Sequence, residues 1–300
     1  MLEISLLGEQ VIRNPSGAVR TRSSRTLALV AFLVVHAGSP QTRQRIAAAF
    51  WPDSTDEQAL TNLRRELHHL RQALGDDRSL VVTSKDLCWR DTDTCRVDVR
   101  AFCIEQAAAI TAARAGNTRA ALAHARAAAD HYRGELLPGS YDDWLLEARS
   151  ELEQCCIDVL DRVSEFAAEV GDLPAVADAA RRRIQYRPIE EIGYRRLIEV
   201  LGDLGDRAGA VSTYHHCASV LERELGIEPD PATRKALDRL LTRTGPARPA
   251  PLPPLDPAGA RSGPAAAPLI GRSGELGILQ DMWRAAAAGR PSLAAWKPAT

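Results

Sequence analysis

Hydrogen-bond donors and positive charges recur between residues 57 and 75 at spacings that place them on one side of a helix. Leucines recur every three or four residues and share the other side of that helix: Leu60, Leu63, Leu67, Leu70 and Leu74. At about 100° per residue, the face opposite the leucines carries polar side chains and no acid: Gln58, Thr61, Asn62, Arg65, His68, His69 and Gln72. Arg64 and Arg71 flank the leucine stripe. Side chains of these kinds can bind the base edges and phosphates of a DNA major groove.

The start of this helix and its acids bear on which side faces solvent. Ser54 and Glu57 have the S-x-x-E spacing of a capping box, which predicts Ser54 as the N-cap residue. Glu57 and Glu66 are expected at the buried edges of the helix and not on its polar face. In isolation, a solvated amphipathic helix without a binding function is the more common explanation of such a pattern. The neighbouring elements therefore have to decide between a DNA-binding helix and a solvated helix without a binding function.

Elements before this helix fit a small α/β unit. Residues 2–12 alternate between apolar and polar and predict one strand, which ends in a turn at residues 14–17. Ser23 or Ser24 can cap a first helix that extends to about His36.

The remaining elements complete a recognisable order. Thr42 can cap a short second helix over residues 43–50. After the leucine-striped helix, two short β-type runs at 80–83 and 87–90 predict a hairpin. A strand, three helices and a hairpin are the outline of a winged helix-turn-helix domain, which we assign to residues 1–97.

Arginines lie in the first turns of the two shorter helices, where the helix dipole favours acids. Arg25 is in the first of these turns, Arg43 and Arg45 are in the second, and Arg22 directly precedes the first helix. Basic side chains beside free backbone N–H groups suit a phosphate. The four arginines are therefore candidate DNA-backbone contacts. Simple tolerance is the alternative, since an exposed charge at a helix end costs only about 0.3–1 kcal/mol.

From Asp98 onward the pattern predicts helices only. Three helix starts share a Gly-Asn or Gly-Asp turn followed by small residues, at 116–117, 171–172 and 205–206, and the last two are 34 residues apart. That spacing is the tetratricopeptide period. We expect residues 98–243 to form a stacked array of about seven helices, of the kind that binds other proteins or packs against its own neighbours. The fold class is thus mainly α, with a winged helix and small sheets followed by an all-α tetratricopeptide-like array.

Composition and sequence patterns argue against a membrane-spanning, secreted or metal-binding protein. Apolar residues make up 45% of the 300 residues and charged residues 26%, with a net charge of −1. No stretch approaches the ~20 apolar residues that span a bilayer, and Met1–Gly8 lacks the features of a signal peptide. We expect a cytoplasmic, nucleoid-associated protein without membrane contact. The six cysteines form no C-x-x-C pair, which predicts reduced thiols, no metal and no cofactor.

The last part of the chain has a different composition. Residues 244–268 contain eight prolines and are predicted to be a disordered linker. Residues 269–300 are predicted not to fold independently.

Several stretches together resemble the SARP family of antibiotic regulatory proteins. This family joins an OmpR/PhoB-type winged helix to a bacterial transcriptional activation domain built of tetratricopeptide-like helices, and the resemblance covers roughly residues 2–242. The stretches that carry it are Ser24–Leu29 with Gly38, Phe50–Trp51 leading into LRRELHHLRQALGDD, HYRGELLPGSYDDWLLEARSELE at 131–153, the block from Gly205 to Tyr214, and LERELGIEPDP at 221–231.

The resemblance implies a transcriptional activator that binds direct repeats in promoter DNA as head-to-tail protomers. It places the third helix in the major groove and makes Lys85 a contact of the hairpin, or wing. It makes the helical array the part that engages RNA polymerase and supports dimer contacts. The recognition-helix candidates that it implies are Asn62, Arg64, Arg65, His68, His69 and Arg71.

Two stretches depart from the family pattern. The hairpin tip has Lys85-Asp86-Leu87-Cys88 where the family usually carries Gly-Tyr, and the acidic Asp86 would face DNA unfavourably. Residues 268–276 resemble the opening of the ATPase module of larger family members, but the sequence contains no G-x-x-x-x-G-K-[ST] loop. We therefore expect a short or truncated form, the remnant of that module at 269–300, and no nucleotide hydrolysis.

Two other functions compete with DNA binding. An enzyme is the weaker one, because H-E-x-x-H and G-x-S-x-G are absent and His215-His216-Cys217 falls within a helix, where core packing is the ordinary role. The stronger alternative is a tetratricopeptide adaptor whose winged helix contacts proteins. A basic surface over the candidate arginines would favour DNA, and an apolar surface there would favour the adaptor.

Overall fold

The computed structural model describes residues 1–243, which lie within one compact unit. These residues form a mainly helical structure in which two small sheets and three helices precede an all-helical array. The predicted fold class is confirmed. The predictions for residues 244–268 and 269–300 fall outside the described residues. No helix within residues 1–243 is long and apolar enough to cross a membrane.

The first sheet has four strands in the order β3-β2-β1-β7. They are β1 (Leu2–Ser5), β2 (Val11–Arg13), β3 (Val19–Thr21) and β7 (Cys95–Val97). β1 pairs antiparallel with β2 and parallel with β7. The prediction of one strand over residues 2–12 was therefore wrong: the chain reverses between Ser5 and Val11, at a bend where Gly8 has a positive φ of 80°.

Three helices follow, each with a side-chain cap. They are α1 (Ser24–Val35), α2 (Arg43–Phe50) and α3 (Asp56–Leu74). Ser23 and Thr42 cap α1 and α2 as predicted. For α3 the prediction of Ser54 was wrong by one residue, because the Thr55 hydroxyl accepts the bond from the Gln58 N–H at 3.4 Å.

The second sheet joins the start of α2 to the hairpin. Its strands are β4 (Gln41–Thr42), β5 (Leu80–Val82) and β6 (Asp86–Trp89), in the order β4-β6-β5. The predicted hairpin is confirmed. Trp89 is almost fully buried in the core beneath it.

Seven helices complete the described residues: α4 (Asp98–Arg114), α5 (Thr118–His131), α6 (Asp143–Val170), α7 (Leu173–Tyr186), α8 (Glu191–Asp203), α9 (Arg207–Leu225) and α10 (Pro231–Arg243). Each of α4 to α9 packs against the helix that follows it. The predicted Gly-Asn and Gly-Asp turns are helix caps, since Asn117, Asp172 and Asp206 each accept a hydrogen bond from the N–H three residues on.

The sheet region and the array share backbone hydrogen bonds and a core. The Gly8 N–H donates to the Glu135 carbonyl at 3.0 Å, and the Leu137 N–H donates to the Leu6 carbonyl at 2.8 Å. Trp144, in the first turn of α6, lies between Phe32 and Phe50, with ring centroids 5.1 and 5.6 Å away. The start of α6 is therefore fixed against α1 and α2.

Candidate nucleic-acid interface

The two faces of α3 differ in burial as the sequence predicts. Leu63, Leu67, Leu70 and Leu74 are buried, and Leu60 is half-buried. On the other side the exposed side chains are Gln58, Thr61, Arg64, Arg65, His68, His69, Arg71 and Gln72, with Asn62 half-buried. From Gln58 to Gln72 no exposed side chain is an acid. This surface, which we call the α3 polar face, presents mainly donors and positive charge.

The two acids that were expected at the buried edges of α3 differ in their exposure to solvent. Glu57 is exposed, so that expectation was wrong for it: Glu57 lies in the first turn, where the helix dipole favours a solvated acid. Glu66 is only 8% exposed, as predicted. Its carboxylate accepts a long hydrogen bond of 3.5 Å from the Thr26 hydroxyl of α1. The Glu66 carboxylate also lies 3.8 Å from Nδ1 of His69 and 3.9 Å from Nε of Arg65. Its charge is therefore within ion-pair distance of two side chains of the α3 polar face.

Pairs one helical turn apart order other side chains of the α3 polar face. The Gln58 amide donates to Oδ1 of Asn62 at 3.3 Å. The Gln72 amide nitrogen lies 3.1 Å from Nε2 of His68. Such pairs reduce the side-chain entropy that is lost on binding.

Four of the candidate arginines make no ion pair or hydrogen bond through their guanidinium groups within residues 1–243. They are Arg22, Arg45, Arg64 and Arg71, and all four are exposed. These groups retain every donor for an external anion. Arginine is well suited to this role because its planar donors match two phosphate oxygens at once.

The other two backbone candidates are already engaged. Nη1 of Arg25 donates to Oδ1 of Asp142 at 2.8 Å, which directs the side chain toward the helical array. Nη2 of Arg43 donates to the Thr83 carbonyl at 3.0 Å, and its backbone N–H donates to the Lys85 carbonyl. Arg43 therefore braces the hairpin turn against α2. Neither partner is close in sequence, so the sequence alone gave no sign of them.

The hairpin turn presents Lys85 to solvent. The Thr83 hydroxyl accepts from the backbone N–H groups of Lys85 and Asp86 at 3.2 and 2.8 Å, which closes the turn. Lys85 is exposed and Asp86 is half-buried where β6 pairs with β4. The cation is thus the more accessible of the two charges.

One basic residue near α3 escaped the sequence analysis. The guanidinium of Arg20, on β3, lies beside Gly75, the C-cap residue of α3. Arg20 is exposed on this strand, and Arg22 directly follows the strand, before α1. That signal was lost because β3 itself was not predicted.

The described residues contain no group of three or more His, Cys, Asp or Glu side chains that could hold a metal. Burial raises the pKa of Cys95 and Cys156 to about 12 and that of Cys217 to about 11. These thiols are protonated near neutral pH and are poor nucleophiles. His215 and His216 lie on α9 with exposed side chains, so the core-packing role expected for this cluster is wrong for both histidines, whereas Cys217 beside them is buried.

Comparisons with known proteins give a family match for part of the chain and a similar fold for most of it. Residues 97–241 match the model of the bacterial transcriptional activator domain family. Among solved structures, Mycobacterium tuberculosis EmbR, in complex with a low-affinity phosphopeptide, is similar with a TM-score of 0.62 and 23% identity. That match covers 81% of this chain and 66% of the EmbR chain, which is slightly less than two thirds of it.

Two further comparisons add little. The C-terminal tetratricopeptide-containing domain of a putative FK506-binding protein from Plasmodium falciparum matches 49% of this chain and 89% of its own, at 14% identity. Its TM-score of 0.35 does not indicate a shared fold. No curated protein matches. The family match over residues 97–241 supports a transcription regulator, and the similarity to EmbR shows a shared fold.

Proposed function

We propose that the protein is a sequence-specific, DNA-binding transcriptional activator. In this proposal residues 1–97 are a winged-helix domain of the OmpR/PhoB type, and α3 enters the major groove of promoter direct repeats. Residues 98–243 are a separate functional domain that recruits RNA polymerase. The SARP resemblance, and not a contact within the chain, is the basis for head-to-tail protomers on DNA.

The α3 polar face is the observation that carries this proposal. Its exposed side chains include three arginines and two histidines and no acid from Gln58 to Gln72. Phosphate contacts position a protein on DNA, and side chains that reach base edges read the sequence. Arg65 is central on this face, whereas Arg64 and Arg71 lie nearer its edges.

The adaptor alternative has less support on this face. Several large apolar side chains are more than a third exposed among residues 1–243, but none of them lies on α3. Protein interfaces usually place aromatic or aliphatic side chains at their centre. The exposed apolar residues of the array, Tyr141 and Leu146 among them, fit the protein-binding role proposed for that domain.

A footprint on the upstream region of the protein's own gene, at two salt concentrations, tests the DNA proposal. We expect protection of paired repeats that weakens at high salt. Arg65→Ala should lose about 1–3 kcal/mol for the specific site and relax the preference at one base position.

Two other arginines provide matched controls. Arg64→Ala should weaken binding to every sequence about equally and lower the salt slope by about one. Arg119→Ala, an exposed arginine at the start of α5, should change neither. Uniform weak binding that Arg65→Ala leaves unchanged would contradict the activator proposal and favour the adaptor.

A further inference from the structure

Arg25 is bound by a residue of the helical array although it lies in the first turn of α1. Its Nη1 donates to Oδ1 of Asp142 at 2.8 Å, across 117 residues of sequence. The guanidinium lies 6.0 Å from the rings of Phe50 and Trp51, at the outer limit of a cation–π contact. The Arg25 side chain is nevertheless 44% exposed. Its other donors are therefore open to a ligand from solvent.

Asp142 is the N-cap residue of α6, yet its carboxylate makes no capping hydrogen bond. Its backbone is extended, with φ −69° and ψ 133°, as capping requires. Elsewhere in the array Asp172 and Asp206 use the same side chain to accept from the N–H three residues on. The Asp142 carboxylate is directed to Arg25 instead. It has a second set of donors available, the N–H groups in the first turn of its own helix, of which the Leu145 N–H already donates to the Asp142 carbonyl at 2.9 Å.

The first turn of α6 is also the point where the array contacts α1 and α2. Trp144 stacks on Phe50 with an interplanar angle of 22° and meets Phe32 edge-on at 80°. Its Nε1 is buried without a hydrogen-bond partner within residues 1–243. A change in how Asp142 caps α6 would therefore occur next to a tightly packed contact between the two regions.

We propose that Arg25 and Asp142 form a latch that DNA opens. Without DNA, Arg25 is held by Asp142. On DNA, a backbone phosphate binds Arg25, and the Asp142 carboxylate turns to cap α6. This inference rests on the proposed function, because DNA supplies the phosphate.

The exchange leaves both charged groups hydrogen-bonded in either state. A partly exposed ion pair with one hydrogen bond is weak, and an N-cap bond is of comparable strength. The cost of opening the latch is therefore small and is offset by the cap and by the phosphate. DNA binding would in this way be coupled to the first turn of the longest helix in the activator domain.

DNA affinity measured against salt concentration tests the latch in the whole chain. The variants are Asp142→Asn, Arg25→Ala and the double variant. Asparagine caps a helix as well as aspartate does, but it holds Arg25 without charge. We expect Asp142→Asn to bind duplex DNA about 1.5- to 5-fold more tightly than the unaltered chain, with the same salt slope. Arg25→Ala should lower the slope by about 0.9, and Asp142→Asn should add nothing in that background.

Asp143→Asn is the matched control. Asp143 is the next residue, exposed, and makes no side-chain hydrogen bond or ion pair within residues 1–243, so this variant makes the same change in charge without touching the latch. A second readout is amide exchange at Trp144 and Leu145, which should slow when the unaltered chain binds DNA.

The latch is overturned if Asp142→Asn and Asp143→Asn have equal effects, or if the gain from Asp142→Asn persists in the Arg25→Ala background. If the unaltered chain binds DNA and Arg25→Ala lowers the slope while Asp142→Asn changes nothing, the latch is wrong and the proposed function stands. Failure of every variant, and of the unaltered chain, to bind any duplex would remove both the latch and the proposed function.

Discussion

Asp98, the first residue of α4, joins the segment after β1 to the helical array through its carboxylate. Oδ2 accepts from the backbone N–H groups of Leu6 and Leu7 at 2.8 and 2.9 Å, and Oδ1 accepts from the Val99 N–H at 2.8 Å. Burial raises its pKa from 3.8 to about 6, because the loss of solvation outweighs these donors and the charge of Arg133. Ionisation of Asp98 is therefore less favourable in the folded protein than in the unfolded chain, although the charged form still predominates at pH 7.

The raised pKa of Asp98 predicts the direction in which stability changes with pH. Between about pH 4 and pH 6 the folded state binds more protons than the unfolded state, so this group makes the free energy of unfolding fall as pH rises. Asp98→Asn should remove that contribution, which integrates to about 3 kcal/mol across the window. Urea unfolding of both proteins from pH 4 to pH 7.5 measures the difference between them.

The difference between the two curves is the relevant quantity, since other carboxylates act in the opposite direction. The pKa of Asp172 is lowered by a hydrogen bond from the Ala175 N–H and by Arg126, so its contribution is lost as pH falls. That loss is common to both proteins and cancels. Parallel curves for the two proteins would show that Asp98 titrates normally.

At the scale of elements, the start of α3 shows how far a local pattern determines structure. Ser54 and Thr55 are adjacent, and either hydroxyl is a good cap. The S-x-x-E spacing favoured Ser54, but the structure uses Thr55, whose backbone is extended at φ −64° and ψ 154°. Sequence patterns commonly place helix ends within a few residues because neighbouring polar residues compete for the same donors.

The two residues make a matched pair for measurement. Thr55→Ala should lower the free energy of unfolding by about 0.5–2 kcal/mol, because a donor at the start of α3 loses its partner. Ser54→Ala should change it by less than about 0.5 kcal/mol, since the Ser54 side chain makes no hydrogen bond within residues 1–243. Denaturant unfolding of both variants checks this. A larger loss of stability for Ser54→Ala than for Thr55→Ala would instead support Ser54 as the N-cap residue, as the S-x-x-E spacing suggested.

At the scale of the whole molecule, the local helix and turn patterns were mostly predicted, whereas the long-range pairings were not. The leucine stripe of α3 and the Gly-Asp turns of the array are local, and the sequence predicted both. β7 was missed because it is three residues long and pairs with β1, more than 90 positions earlier. The bond between Arg25 and Asp142 was missed because Asp142 comes next to Arg25 only through the packing of the array.

Gly8 tests how closely the sheet region and the array are joined. It has φ +80°, and a Cβ there would lie 2.9 Å from the Arg133 carbonyl oxygen, a backbone atom that cannot move alone. Gly8→Ala should therefore combine the strain of the left-handed backbone, about 1–2 kcal/mol, with a displacement of the segment that bonds to Leu6. Gly17→Ala has the same φ and nothing within 4 Å, so it should cost the strain alone. Thermal unfolding should show a clearly larger loss of stability for Gly8→Ala, and equal losses would mean that the two regions can separate at this point without cost.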